Sequence, residues 1–206
     1  MKGMEMTQEL TELKELCEIT YGVSDSNNHI SNFSFVVLEK VLSEKKDLMQ
    51  QYGITDCELY VLLLLVGFHA DAIQTVSENA KNFTEKCRFY LNSLLSKTPQ
   101  TKSEELYRQE ELYRIDLKRM KYYQENGIPY THPCYLTTST EDYDNKDCKF
   151  IITPLKNGKT KGHDVFVIYN HGEQCPYPEN QVEFELGAKF MIDKIEGTTI
   201  YMQEIE

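Results

Sequence analysis

The polar residues that could do chemistry lie late in the chain, in the alternating segment 181–186. A β-strand here would place Gln181, Glu183 and Glu185 on one face and apolar side chains on the other, because successive side chains of a strand point to opposite sides. Taken alone, this pattern favours an ordinary half-buried strand with a solvated acidic face over a strand that carries a reactive carboxylate. The polar groups upstream change that interpretation.

Three groups of polar residues precede this strand. Tyr177 begins a turn-forming stretch that would present its aromatic ring beside the polar face. A hydroxyl-rich strand further upstream contains Thr137, Thr138 and Ser139. Earlier still, Arg108 ends a Leu-Tyr-Arg sequence, and an arginine guanidinium can bind two phosphate oxygens at once and stays charged at any relevant pH.

The order of these groups is an arginine on a strand, a hydroxyl triplet, and a glutamine two residues before a glutamate. In this order the chain resembles the arginine-serine-glutamate class of mono-ADP-ribosyltransferases. The resemblance covers most of the chain, because 54–80 looks like the helical segment before the arginine strand and 183–205 like the closing strands. Thr137 replaces the family's first serine but keeps the hydroxyl group. Gln109 stands where small residues are usual, and the stretch after the glutamate is shortened to 184–187.

The resemblance implies an enzyme that uses NAD as co-substrate. Such an enzyme cleaves NAD, releases nicotinamide and transfers ADP-ribose to a macromolecular acceptor, either a protein side chain or a nucleic acid base. Glu183 would offset the positive charge that builds on the ribose, a kind of contribution that is often the largest in catalysis. Gln181 would orient the incoming nucleophile, and Tyr177 would belong to the substrate-recognising turn. The implied cofactor-binding residues are Arg108, Thr137, Thr138 and Ser139. Thr137 would also position Glu183.

The register of this match leaves alternatives open. Arg114 competes with Arg108, because the Leu-Tyr-Arg sequence occurs a second time. A glutamine two residues before the glutamate, as Gln181 is before Glu183, resembles the asparagine-modifying and nucleic-acid-modifying members of the family. If the pair is instead Glu183 and Glu185, Glu185 becomes catalytic and arginine side chains become the targets. A catalytically inactive relative would be a binding module, and a purely structural α+β protein would not bind NAD.

Targeting and partners follow from the termini and from the resemblance. The N-terminus lacks the apolar core of a signal peptide, and the longest apolar run, 59–68, is shorter than the roughly 20 residues that span a bilayer. We therefore expect a cytoplasmic protein, or one delivered into the cytoplasm of a target cell, and no membrane partner. Small transferases of this class are commonly toxins or injected effectors, which implies a neutralising antitoxin or immunity protein as a partner.

Composition narrows the other function classes. A net charge of -11 argues against a broad nucleic-acid-binding surface, which takes clustered lysines and arginines. The six cysteines show no C-x-x-C pair, and His132 and Cys134 lack a second pair of ligands, so we predict no metal. A positive patch is interpreted as a solvated turn; it consists of Lys156, Lys159, Lys161 and His163.

The elements that must hold the polar residues change character near Pro99. The pattern predicts an α+β fold, with an N-terminal helical segment packed on a mixed, mainly antiparallel two-sheet β core, as in ADP-ribosyltransferases. One domain is expected over 1–206, mainly helical over 1–98 and mainly strands over 99–206.

Thr55 and Glu58 predict a capping box before the apolar run. A β-hairpin is expected between 150–155 and 165–169, because the connection contains the turn-forming residues Asn157, Gly158 and Gly162.

Overall fold

In the computed structural model of the protein, the described residues are 7–21, 30–66, 73, 80–143, 146–170 and 179–206. The chain divides into two compact units, Met1–Thr98 and Pro99–Glu206. The described part of the first unit is helical, and strands dominate the described part of the second. The interpretation of 1–206 as one domain stays a prediction.

The first unit is built around a helix that is apolar on every side. Its described α-helices are α1 (Gln8–Tyr21), α2 (Ile30–Tyr52), α3 (Asp56–Val66) and α4 (Lys81–Lys97). Every residue of α3 after Asp56 is buried, and α3 packs against the other three helices. A helix without a polar face belongs in a protein interior. Gly67 and Phe68, which extend that run, lie outside the described residues.

The predicted capping box begins α3. The Thr55 amide donates to Glu58 Oε2 at 2.8 Å, and the Glu58 amide donates to Thr55 Oγ1 at 3.3 Å, so each residue satisfies the other's exposed backbone donor. Lys97 at the end of α4 donates to both carboxylate oxygens of Glu58, at 2.6 and 2.7 Å. Burial alone would raise the pKa of Glu58, but the hydrogen bonds from Lys97, Ser93 and Thr55 hold it below its ordinary value.

The second unit is a mixed, mainly antiparallel sheet, which confirms the predicted fold class. Its strand order is β2-β7-β8-β4-β1-β3-β6-β5, and among the described strands only the β4–β8 pair is parallel. A core of apolar side chains, including Leu106, Phe150, Phe184 and Phe190, packs against it. The strands are β1 (Leu106–Glu110), β2 (Tyr130–Thr131), β3 (Leu136–Ser139), β4 (Cys148–Thr153), β5 (Gly162–Asp164), β6 (Gln181–Phe184), β7 (Lys189–Glu196) and β8 (Thr199–Ile205).

The two predicted sheets are hydrogen-bonded into one. Five strands from β2 to β1 form one group, and β3, β6 and β5 form the other. The groups meet where β1 pairs with β3, and that pairing consists of a single residue pair, Tyr107 with Ser139. The sequence predicts a two-sheet core, but this short contact joins the two groups into one continuous hydrogen-bonded sheet.

The predicted β-hairpin after 150 is wrong. β4 already has β1 on one side and β8 on the other, while β5 pairs with β6, and Val165–Val167 is a 3-10 helix. Glu204 of β8 stabilises the connection between β4 and β5. Its carboxylate accepts hydrogen bonds from the amides of Leu155 at 2.8 Å and Lys161 at 2.7 Å. Pairing with distant strands therefore overrides the local turn signal.

A single α-helix is described among these strands. This helix, α5 (Leu117–Asn126), begins at Asp116, whose carboxylate accepts from the Arg119 amide at 3.0 Å. It ends at Gly127, where a φ of 61° favours glycine. The only buried side chain of α5 is Met120, and the helix packs on β7. Among the described residues, none of the helices combines the length and the apolar character needed to cross a membrane.

Candidate active site

Two neighbouring strands bring the predicted hydroxyls and carboxylate together. In the antiparallel β3–β6 pair, Thr137 lies opposite Glu183 and Ser139 lies opposite Gln181. Residues directly opposite one another on neighbouring strands share a face of the sheet. All four side chains therefore project from one face, and Leu136, Val182 and Phe184 supply apolar side chains to the core on the other.

Glu183 is withdrawn completely from solvent. Its exposed fraction is 0%, and neither carboxylate oxygen makes a hydrogen bond of normal geometry with the described residues. Burial raises the pKa of Glu183 to about 7, while the Thr137 hydroxyl, the Arg108 charge and the Gln181 amide act to lower it. A buried carboxylate without a donor is costly, so this site is suited to a ligand that supplies hydroxyl donors.

Arg108 is the arginine that the fold brings to Glu183. Its Nη1 donates to the carbonyl oxygen of Thr137 at 2.7 Å, and its Nη2 donates to Glu110 Oε1. Its charge acts on Glu183 and lowers the pKa of that carboxyl group. Arg114, the alternative, is exposed on the 3-10 helix Leu112–Arg114, where its guanidinium lies 5.7 Å from the centre of the Tyr113 ring.

The remaining predicted site residues divide into those at this face and those away from it. Gln181 is buried beside Glu183, and the Ser139 hydroxyl oxygen accepts from the Glu141 amide at 3.0 Å. Thr138 projects from the opposite face, because side chains alternate along β3, and its hydroxyl donates to the Val182 carbonyl at 2.8 Å. The structure does not bring Thr138 to the group around Glu183. Tyr177 lies outside the described residues.

Glu185, the alternative catalytic residue, has a different partner. It follows the last residue of β6 and is partly exposed, and its Oε1 lies 3.0 Å from His163 Nε2. His163 lies opposite Glu183 on β5 and is buried. The interpretation of His163 as part of a solvated turn is therefore wrong, because pairing of β5 with β6 carries it into the sheet. Lys156 and Lys159 of the same patch are exposed on the turn.

Two residues of this neighbourhood were missed by sequence reasoning. Glu110 lies on β1 two residues after Arg108, so alternation along β1 places both side chains on one face, but the Leu-Tyr-Arg sequence interpreted as a strand ends at Arg108. His163 had no comparable signal, since its position depends on the partner of β5. Burial lowers the pKa of His132, and the charge of Arg108 lowers it further. A backbone hydrogen bond to Cys134 and the charge of Glu110 act in the opposite direction. Among the described residues, no group of histidine, cysteine and acidic side chains could hold a metal ion.

Comparisons with known proteins agree with this architecture at the level of fold. Neither protein-family models nor curated proteins give a match to the sequence. The ADP-ribosyltransferase HopU1 of Pseudomonas syringae matches with a TM-score of 0.61 and 12% identity, over 100% of both chains. Plx2a, an ADP-ribosyltransferase toxin from Paenibacillus larvae, matches at 0.57 and 17%, over 82% of this chain and 96% of its own. Exoenzyme S from Pseudomonas aeruginosa, bound to carba-NAD, matches at 0.57 and 14%, over 95% and 88%.

These likenesses concern the path of the backbone, since few residues are identical. The arginine-serine-glutamate class rests on the sequence motifs and stays a prediction. The arrangement of helices and strands itself is shared with solved structures of ADP-ribosyltransferases. The chain has the fold of the ADP-ribosyltransferases.

Proposed function

We propose that the protein is a mono-ADP-ribosyltransferase that cleaves NAD, releases nicotinamide and transfers ADP-ribose to a macromolecular acceptor. The acceptor is a protein side chain or a nucleic acid base. The fold supports this proposal, and the similar Exoenzyme S has been solved with carba-NAD bound. One observation of this chain carries it: Glu183 is fully buried, and neither of its carboxylate oxygens makes a hydrogen bond of normal geometry with the residues that the structure describes. Thr137 and the charge of Arg108 both act on it.

The unsatisfied carboxylate fits the chemistry of NAD. Bound NAD supplies a cationic nicotinamide leaving group on a ribose with hydroxyl groups. Glu183 accepts hydrogen bonds from those hydroxyls and stabilises the positive charge that builds on the ribose as the glycosidic bond breaks. The bonding electrons leave with nicotinamide, and the acceptor's nucleophile bonds to the ribose carbon and loses a proton.

The neighbouring residues take roles that match their positions. Arg108 holds phosphate oxygens, because a guanidinium presents several donors in one plane. Thr137 positions Glu183 from the opposite strand, and Ser139 lies two residues along the same face. Gln181 orients the incoming nucleophile beside Glu183. Tyr177 remains the predicted residue of substrate recognition.

A second candidate, a catalytically inactive binding module, is favoured by one observation. Glu183 has no exposed surface in this structure, so a ligand reaches it only if the covering atoms move. The transferase proposal requires such movement, whereas the binding-module alternative does not. Nicotinamide release that depends on Glu183 separates the two.

The experiment that tests the proposal uses NAD labelled in its adenylate part and a cell lysate as the source of acceptors. We expect macromolecular label to appear together with free nicotinamide. Treatment with protease and with nuclease in separate samples then identifies the class of acceptor. If wild-type protein releases no more nicotinamide than buffer and binds no NAD, the transferase proposal fails. Recovery of the protein from a producing cell with a bound inhibitor protein would support the predicted antitoxin or immunity partner.

A further inference from the structure

Arg108 is already paired with a carboxylate of its own strand. Arg108 and Glu110 project from the same face of β1, and Arg108 Nη2 donates to Glu110 Oε1. The side chains are exposed by only 24% and 11%, so the pair is largely withdrawn from water. Arg108 Nη1 donates separately to the Thr137 carbonyl. The guanidinium therefore donates to two acceptors, the neutral carbonyl of Thr137 and the negatively charged carboxylate of Glu110.

The Glu110 carboxylate competes with phosphate for Arg108. A carboxylate and a phosphate group bind a guanidinium through the same N–H donors. Glu110 also brings the formal charge of the pair to zero. Among the described residues whose charges act near Arg108, Glu183 is a second carboxylate and His132 favours its neutral form. A pyrophosphate with two negative charges thus meets little net positive charge here.

We propose that Glu110 weakens the binding of the pyrophosphate at Arg108 and so promotes release of the ADP-ribosyl product from the site. This inference rests on the proposed function. NAD and ADP-ribose carry the same pyrophosphate, but only NAD carries the cationic nicotinamide ring. That ring is attracted to the buried carboxylate of Glu183, and ADP-ribose lacks this attraction. A weaker hold on the pyrophosphate lowers the affinity for both by a similar factor, but NAD keeps this attraction, so the ADP-ribosyl product leaves the site more readily than NAD does.

The substitution Glu110→Gln isolates the charge. Glutamine keeps a carbonyl oxygen that can accept from Arg108 Nη2, and the bond from Arg108 Nη1 to Thr137 does not involve residue 110. Titration calorimetry with ADP-ribose is expected to show about tenfold tighter binding, the effect of removing one nearby unit charge in a partly solvated site. Glu111→Gln, which removes the same formal charge one residue along the chain, is the matched control and is expected to bind as wild type does.

Two further variants guard the interpretation. Glu110→Ala removes the carboxyl group altogether and is expected to change ADP-ribose affinity in the same direction. Arg108→Gln combined with Glu110→Gln is expected to bind no more tightly than Arg108→Gln alone, because the gain acts through the guanidinium. Melting temperatures of all variants establish that the compared proteins are folded.

The outcomes separate the two proposals. Unchanged or weaker ADP-ribose binding in both Glu110 variants overturns the role of Glu110, even if NAD cleavage continues. An equal gain in Glu111→Gln also overturns it, because the effect would then come from net charge alone. Absence of NAD binding, ADP-ribose binding and nicotinamide release in every variant, including wild type, would overturn the proposed function and this inference together.

Discussion

Thr137 lies directly opposite Glu183 in the β3–β6 pair, and its hydroxyl group lowers the pKa of a carboxyl group that burial raises. A hydroxyl group that approaches a charged carboxylate, and can hydrogen-bond to it in the NAD complex, is worth about 1.5–3 kcal/mol. We expect Thr137→Val, which keeps the branched shape but loses the hydroxyl, to lower kcat/KM for NAD by at least about tenfold at pH 7. Thr137→Ser keeps the hydroxyl and should stay near wild type. Equal activity of the valine and serine variants would contradict this role of Thr137.

Glu183→Gln tests the proposed catalytic residue. The change keeps the volume of the side chain but removes the charge that stabilises the ribose in the transition state. Loss of one such group typically costs about 2.7–4 kcal/mol, or about 100- to 1,000-fold in rate. Glu185→Gln is the matched control, because Glu185 lies two residues along the chain and contacts His163 instead. Nicotinamide release is the measurement, and a larger loss in Glu185→Gln would reverse the assignment.

Arg108→Gln tests the proposed phosphate contact. We expect KM for NAD to rise by about 10- to 100-fold, the loss of charge-assisted hydrogen bonds to phosphate. Arg114→Gln removes the same charge from an exposed position and should leave KM unchanged. Steady-state kinetics of the two variants decide between the arginines. A rise in KM confined to Arg114→Gln would move the phosphate contact to the second Leu-Tyr-Arg sequence.

The pH dependence of activity follows from the raised pKa of Glu183. Burial is the main cause, and the value of about 7 means that the carboxyl group is protonated at low pH in the free protein. Since the proposed chemistry needs the carboxylate, kcat/KM should rise as pH increases towards 7 and level off above it. Initial rates of nicotinamide release between pH 5 and 8.5 provide the profile. A flat profile across this range would be inconsistent with Glu183 as the titrating group.

The same titration predicts an effect on stability. A carboxyl group whose pKa is higher in the folded state stabilises the fold below its unfolded pKa, and this contribution is lost as pH rises through about 7. Wild type should therefore lose stability relative to Glu183→Gln between pH 4.5 and pH 7.5, by about 3 kcal/mol at most. Denaturant unfolding of both proteins at several pH values measures the difference. A constant difference across this range would contradict the assignment.

Lys97 provides a stability test in the helical unit. Its ammonium group contacts Glu58, whose side chain is 3% exposed, so Lys97→Met leaves a buried carboxylate without its cation. Breaking a buried ion pair in this way costs about 3 kcal/mol in the free energy of unfolding. Lys86→Met is the control, since the Lys86–Glu12 pair is about half exposed on both sides and such pairs contribute about 0–1 kcal/mol. Urea unfolding compares the two, and similar losses would show that the Glu58 contact adds nothing special.

The sequence predicted those features of the site that depend on local pattern and order. The alternation of 181–186 identified the face that carries Gln181 and Glu183, and the order of motifs identified Arg108 in preference to Arg114. Alternation also places Thr138 on the opposite face from Thr137, so its separation from the site was contained in the sequence. The fold class followed from helices in the first half and strands in the second.

Features that depend on pairing between distant segments could not be predicted. The turn residues near Gly158 are compatible with a hairpin, but β4 pairs with β1 and β8 instead. For the same reason His163 was assigned to a surface turn, although it lies opposite Glu183. A single sequence contains no signal that selects β8 as the partner of β4, because both strands are apolar and alternate in a similar way.

The parallel β4–β8 pair has a consequence for how the protein is made. Contacts between segments far apart in the chain slow folding, because a long loop must close before they form. Until residues 199–205 leave the ribosome and pair with β4, one edge of β4 has unpaired backbone amide and carbonyl groups. Strands of other nascent chains can form hydrogen bonds with these groups. We therefore expect yield at high expression to depend on how quickly the last strand is delivered, and interruptions of translation before Thr199 to give aggregates rather than truncated soluble protein.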